Sequence, residues 1–82
     1  MKEVKYRYMY RGYGVNVYVV AHDVLAVAVN GSDYRGSRVK STFYIGAVAG
    51  ENHKEEYKHV VDCGTKLDEQ FAKIMFPNEF ED

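Results

Sequence analysis

Val4, Tyr6, Tyr8 and Tyr10 alternate with Lys5, Arg7, Met9 and Arg11, the period of two that marks a half-buried strand. Gly12-Tyr13-Gly14 follows, and its glycines supply the positive φ that a tight reversal asks for. Val15, Val17, Val19 and Ala21 then alternate with Asn16, Tyr18, Val20 and His22, predicting a second strand that ends in a short turn at His22-Asp23. Val24 to Val29 reads as a third strand, closed by the turn dipeptide Asn30-Gly31. Ser32 to Ser41 is polar and predicts a long loop, and Thr42 to Ala49 predicts a fourth strand closed by Gly50.

Past Gly50 the period changes. Asn52 with Glu55 three residues on has the form of a capping box. Tyr57, Val60 and Val61 follow at helical spacing, and Gly64 suits the residue after a helix end. The β-branched pair in Tyr57 to Cys63 leaves a fifth strand open as the alternative. Thr65 with Asp68 repeats the capping arrangement, and Leu67, Phe71, Ile74 and Met75 form an apolar stripe that stops before Pro77. Residues 78–82 are an acidic tail with Phe80 in it.

The fold predicted is α+β: a small antiparallel sheet of about four strands, followed by one or two C-terminal helices packed on one face. Residues 1–82 make a single domain, with 1–49 the sheet half and 50–77 the helical half. Helices lying over Val4, Val15, Val17, Val19, Leu25, Val27, Phe43 and Ile45 leave the other face to Lys5, Arg7, Arg11, Tyr18 and Tyr44. That open face is basic and aromatic.

Composition narrows the class. Hydrophobic residues make up 46% of the 82 and there is only one Pro, enough apolar surface for a core and too much for a disordered chain. A single Cys excludes a disulfide framework and suggests a reducing, cytoplasmic setting. The apolar run from Val15 to Val29 is broken by Asn16, His22 and Asp23 and is shorter than a membrane span. The N-terminal residues have no apolar run behind their charges and do not read as a signal peptide.

The net charge of −1 hides an asymmetry. Up to Tyr44 there are seven Lys and Arg against three acids, a balance of +4; from Ile45 there are four Lys against nine acids, a balance of −5. Such a split points to a partner, or to basic strands and acidic helices of the ordinary kind.

Arg11-Gly12-Tyr13-Gly14, with Tyr18 after it, resembles the first ribonucleoprotein motif of RNA-binding sheets. There the glycines admit the backbone, the cation meets phosphate and the rings stack on bases. Val15 and Asn16 depart from that motif, and ten residues are too few to hold the elements that precede it in the full fold. Val4-Lys5-Tyr6, Arg11 to Gly14 and Asp23-Val24-Leu25 are similar to the first three strands of the cold-shock domain, over about a third of the chain. Leu25 and Val27 stand where that family carries aromatics, and C-terminal helices do not belong to its barrel.

The reading is therefore a non-catalytic binding protein with RNA or single-stranded nucleic acid as partner. Lys5, Arg7, Arg11, Arg35, Arg38 and Lys40 would meet phosphates, Tyr13, Tyr18 and Tyr44 would stack, and residues 32–41 would close over the ligand. The alternative is a stoichiometric inhibitor or adaptor of the phage accessory type. It would bind a protein such as a nuclease or toxin, alone or with its RNA, since Tyr and Arg also dominate protein interfaces. A Tyr-rich edge strand is compatible with a homodimer. His59 and Cys63, four apart, are the only pair that suggests zinc or nucleophilic chemistry. They fall short of the three or four ligands a metal needs, so neither metal nor cofactor is expected.

Overall fold

The computed structural model describes residues 3–30 and 41–80. In chain order these form β1 (Tyr6–Tyr10), β2 (Tyr13–Ala21), β3 (Val24–Asn30), β4 (Thr42–Ala47), α1 (His53–Cys63), β5 (Thr65–Leu67), α2 (Glu69–Met75) and a 3-10 turn (Pro77–Phe80). The strands make one antiparallel sheet in the order β1-β2-β3-β4-β5. The expected α+β arrangement is present, with five strands in place of four. Tyr57 to Cys63 is helical, and the added strand, β5, lies between the two helices.

The β1–β2 reversal is tighter than the glycine pattern suggested. Arg11 and Gly12 are its two central residues, with φ of 54° and 83°, while Tyr13 and Gly14 already belong to β2 opposite Tyr10 and Met9. Positive φ at both central positions is what a two-residue hairpin needs to match the twist of its strands. The turn at His22-Asp23 stands as read, and a register shift between Val19 and Ala21 precedes it.

Side chains of the sheet divide by register. Tyr6, Tyr8, Tyr10, Val15, Val17, Val19, Leu25, Val27, Val29 and Tyr44 pack on one side with Tyr57 and Val60 of α1. Tyr18, Ala26, Ala28, Phe43, Val20 and Ile45 pack on the other with Ala72 and Met75 of α2, and with Phe76 and Phe80 after it. The helices thus take opposite faces, a correction to the expectation that both lie on one. Phe43 and Ile45 belong under α2, not with Val15 and Val17. The cause is visible in β3, where Leu25, Ala26, Val27 and Ala28 are all 0% exposed. An uninterrupted apolar run needs cover on both sides.

The helix ends also differ from the sequence pattern. Asn52 makes no side-chain cap; instead the Glu56 carboxylate accepts from the Gly50 and Glu51 amides at 2.9 and 3.3 Å. Gly64 caps α1 in an extended conformation, φ −71°. Its lack of a side chain matters because a Cβ there would strike the Val60 carbonyl. Thr65 is a strand residue opposite Ile45, and Asp68 is the cap of α2, accepting from the Phe71 amide at 2.8 Å. This start turns Ala72 and Phe76 inward and leaves Phe71 and Ile74 at 49% and 78% exposure. Phe76 stands against Tyr18 and Phe43, with ring centroids 4.5 and 6.1 Å away.

Replacement of Phe76 by Ala is therefore expected to cost about 3–5 kcal/mol, and of Ile74 by Ala less than about 0.5 kcal/mol. Urea unfolding of the two variants checks this, and the reverse order of costs would overturn the register of α2.

Candidate nucleic-acid interface

Of the nine residues expected to bind nucleic acid, the six that are described do not share one face. Lys5, Arg7 and Met9 are exposed and alternate with the half-buried Tyr6, Tyr8 and Tyr10. Arg7 lies opposite Asn16, in a row that runs on through Ala28 and Phe43 to Leu67. Arg11 sits in the hairpin turn, 3.4 Å from Asp62 of α1, with its guanidinium 5.2 Å from the Tyr10 ring centroid. Tyr10 donates its hydroxyl to the same Asp62 carboxylate at 2.8 Å, so Arg11 leans toward α1 and away from the face that carries Arg7. Tyr13, the cross-strand partner of Tyr10, is 48% exposed. Arg35, Arg38 and Lys40 lie outside the described residues, as does most of the predicted closing loop.

The other two expected stacking rings are committed elsewhere. Tyr44 packs on the α1 side, in the cluster with Val15 and Val27. Tyr18 is fully buried on the α2 side beneath Phe76. Tyr8 stacks on Tyr57 at 4.8 Å and Tyr10 meets the same ring edge-on at 5.9 Å. Tyrosines on β1 therefore serve as core on one side, where their large apolar rings suit a helix face. Lys5, Arg7, Met9, Arg11 and Tyr13 are among the residues the hairpin presents to solvent.

A polar network that the sequence did not reveal joins β2 to the chain end. Glu79 accepts from the Asn16 amide at 2.9 Å and from the Tyr18 hydroxyl. Asn78 donates to the Tyr18 oxygen at 3.2 Å, while its own Oδ1 is buried with no partner. Burial pushes the Tyr18 phenol well above the usual tyrosine range, and its bond to Glu79 and the charge there push it further; Asn78 and Arg7 act the other way. The signal available beforehand was Asn16, a polar residue in the otherwise apolar run of β2.

Other candidate chemistry stays dispersed. His59 and Cys63 are both exposed on α1, and no three His, Cys, Asp or Glu among the described residues gather to hold a metal. A groove of about 530 Å³ beside β5 holds Lys66 with Asp68 and Glu69, a balance that does not suit phosphate. Among the described residues no helix is long and apolar enough to cross a membrane.

Tyr18 sets an alkaline limit on the fold. Up to pH about 10 it is protonated in folded and unfolded chains alike; above that the unfolded chain releases the proton while the folded one keeps it, so stability falls with rising pH. Tyr18→Phe is expected to cost about 1–3 kcal/mol at neutral pH, because Glu79 and Asn78 lose a partner. It should also reduce the decline between about pH 10 and 11. Urea midpoints against pH, wild type beside variant, check both, and parallel curves would remove Tyr18 as the cause. Comparison with known proteins returns no matching family model, no matching curated protein and no matching solved structure.

Proposed function

We propose that the protein is a non-catalytic binding protein for RNA or single-stranded nucleic acid, acting through β1 and the β1–β2 turn. The observation that carries this reading is a run without carboxylates. From Val4 to His22 there is no Asp or Glu, and the exposed positions of this stretch include Lys5, Arg7, Arg11 and Tyr13. Phosphates along an extended strand would meet the cations, and the Tyr13 ring at the tip would take one base. With Tyr18 and Tyr44 in the core, affinity on this reading comes mostly from charge. Arg35, Arg38 and Lys40 enter the proposal on sequence grounds alone, and the exposed free thiol of Cys63 fits a cytoplasmic setting.

A second reading, a stoichiometric inhibitor or adaptor of a protein target, is favoured by the edge itself. Among the described residues β1 pairs only with β2, and Met9 stands 71% exposed on it. An acidic extended segment of a target would add to that edge as a strand. A second copy fits less well: with Tyr8 opposite Tyr8, Lys5 faces Arg11 at both ends, and directly opposed like charges repel.

Fluorescence anisotropy of a labelled single-stranded RNA across a salt series tests the choice. Three phosphate contacts give a slope of log K on log salt near −2, and six give about −4. Changing Lys5 and Arg7 together to Ala is expected to flatten the slope by about 1.4. Tyr13→Ala is expected to weaken binding by about 1–3 kcal/mol at unchanged slope. Absence of binding at low salt, by wild type and by chains changed at Glu79 or Phe80 alike, would overturn the nucleic-acid reading and leave the protein target.

A further inference from the structure

The turn Pro77–Phe80 lies on the α2 side of the sheet, and the inference drawn from it rests on the nucleic-acid reading above. We propose that Asn16, Tyr18 and Phe43 form a nucleotide subsite that Pro77–Phe80 covers as an intramolecular strap, with Glu79 in the place of a phosphate and Phe80 in the place of a base.

The contacts the strap makes are those a nucleotide would make. The Phe80 ring stacks on Phe43 with centroids 5.2 Å apart and planes 20° from parallel, the arrangement of a base on an aromatic platform. The Glu79 carboxylate is received by an amide N–H of Asn16 at 2.9 Å and by the Tyr18 hydroxyl. Both are neutral donors suited to a phosphate oxygen. Among the described residues the Glu79 carboxylate is received by these hydrogen bonds, with no ion pair to it. Arg7, the cross-strand partner of Asn16, supplies a cation beside the same position and joins the subsite to the basic strand.

The hold of the strap is limited where that of its neighbours is not. Ala72 and Phe76, immediately before it, are 0% exposed and are core, whereas all four residues of the turn are half-buried. The Glu79 amide donates to the Phe76 carbonyl at 3.0 Å and so ties the turn back to the end of α2. Asn78 Oδ1, buried without a partner, costs free energy in the closed position that opening would return. Pro77 separates the strap from α2, so the turn can lift while Phe76 keeps the core closed. A strap and a ligand that need the same donors and the same ring exclude one another, and apparent affinity then rises as the strap is weakened.

The test is anisotropy of labelled single-stranded oligouridine with the full chain and with Glu79→Gln, Phe80→Ala and Asp23→Asn. The last removes one negative charge at the far end of the sheet. Glu79→Gln and Phe80→Ala are expected to tighten binding roughly three- to tenfold and Asp23→Asn less than about twofold. Circular dichroism confirms that each variant folds. In wild type, saturating oligouridine is expected to speed hydrogen exchange at the Glu79 amide. Tighter binding by the strap variants than by Asp23→Asn, including binding where wild type shows none, supports the strap. Wild-type binding that Glu79→Gln and Phe80→Ala raise no more than Asp23→Asn, with Glu79 exchange unchanged, overturns the strap and leaves the nucleic-acid reading intact. Absence of binding by every chain overturns that reading and the strap with it.

Discussion

Burial of β2 and β3 on both faces is the constraint from which the rest of the structure follows. Val15, Val17, Leu25 and Val27 on one side, and Tyr18, Ala26 and Ala28 on the other, are removed from water almost completely. A sheet with two apolar faces is stable only between two covers. The chain supplies α1 for the first face and α2 with its following turn for the second. The sequence from residue 50 onward is therefore spent twice, on opposite sides. The division of aromatic residues is a consequence: five tyrosines fill the α1 layer, and Tyr18, Phe43, Phe76 and Phe80 fill the other.

Much of this was legible in the pattern of residues, and the failures have physical causes. Alternation in Val4 to Arg11 and in Val15 to His22 located β1 and β2, because a half-buried strand writes its period directly into the chain. Alternation cannot say how many layers a sheet has. Tyr18 sits at a position that reads as solvent-facing if one cover exists and as core if two do. The continuous run Val24 to Val29 carried that information, since every second residue of a one-sided strand would be polar. The slip in α2 has a local origin. Thr65 with Asp68 imitates a capping box, but Thr65 is β-branched and pairs beside β4, so the helix begins three residues later and its inward face passes from Phe71 and Ile74 to Ala72 and Phe76.

The charge asymmetry shows the same double use. Basic strands and acidic helices suggested a polyanionic partner, yet two of the acids reach back to the strands from which they were counted apart. Asp62 meets Arg11 and the Tyr10 hydroxyl, and Glu79 meets Asn16 and the Tyr18 hydroxyl. Part of the imbalance is complementarity within the fold. Exposed pairs such as Arg11–Asp62 stabilise by about 0–1 kcal/mol and are screened by salt, so on the proposed reading a phosphate would displace that contact at little cost. Lys5 and Arg7 project from the strand edge on the side away from α1.

Glu79 is the point at which the fold and the proposed function meet. A carboxylate over a sheet with an apolar floor is costly unless its oxygens are received, and Asn16 and Tyr18 do so with neutral donors. A fully apolar contact at this place would hold the chain end more firmly, because it would need no desolvation of charge and would leave no orphan such as Asn78 Oδ1. The sequence instead places Pro77, two polar residues and then Phe80 over a layer that Ala72 and Phe76 already close. An arrangement that stabilises less than its apolar equivalent, and presents the chemistry of a ligand to the surface beneath it, is better accounted for as a cover than as core.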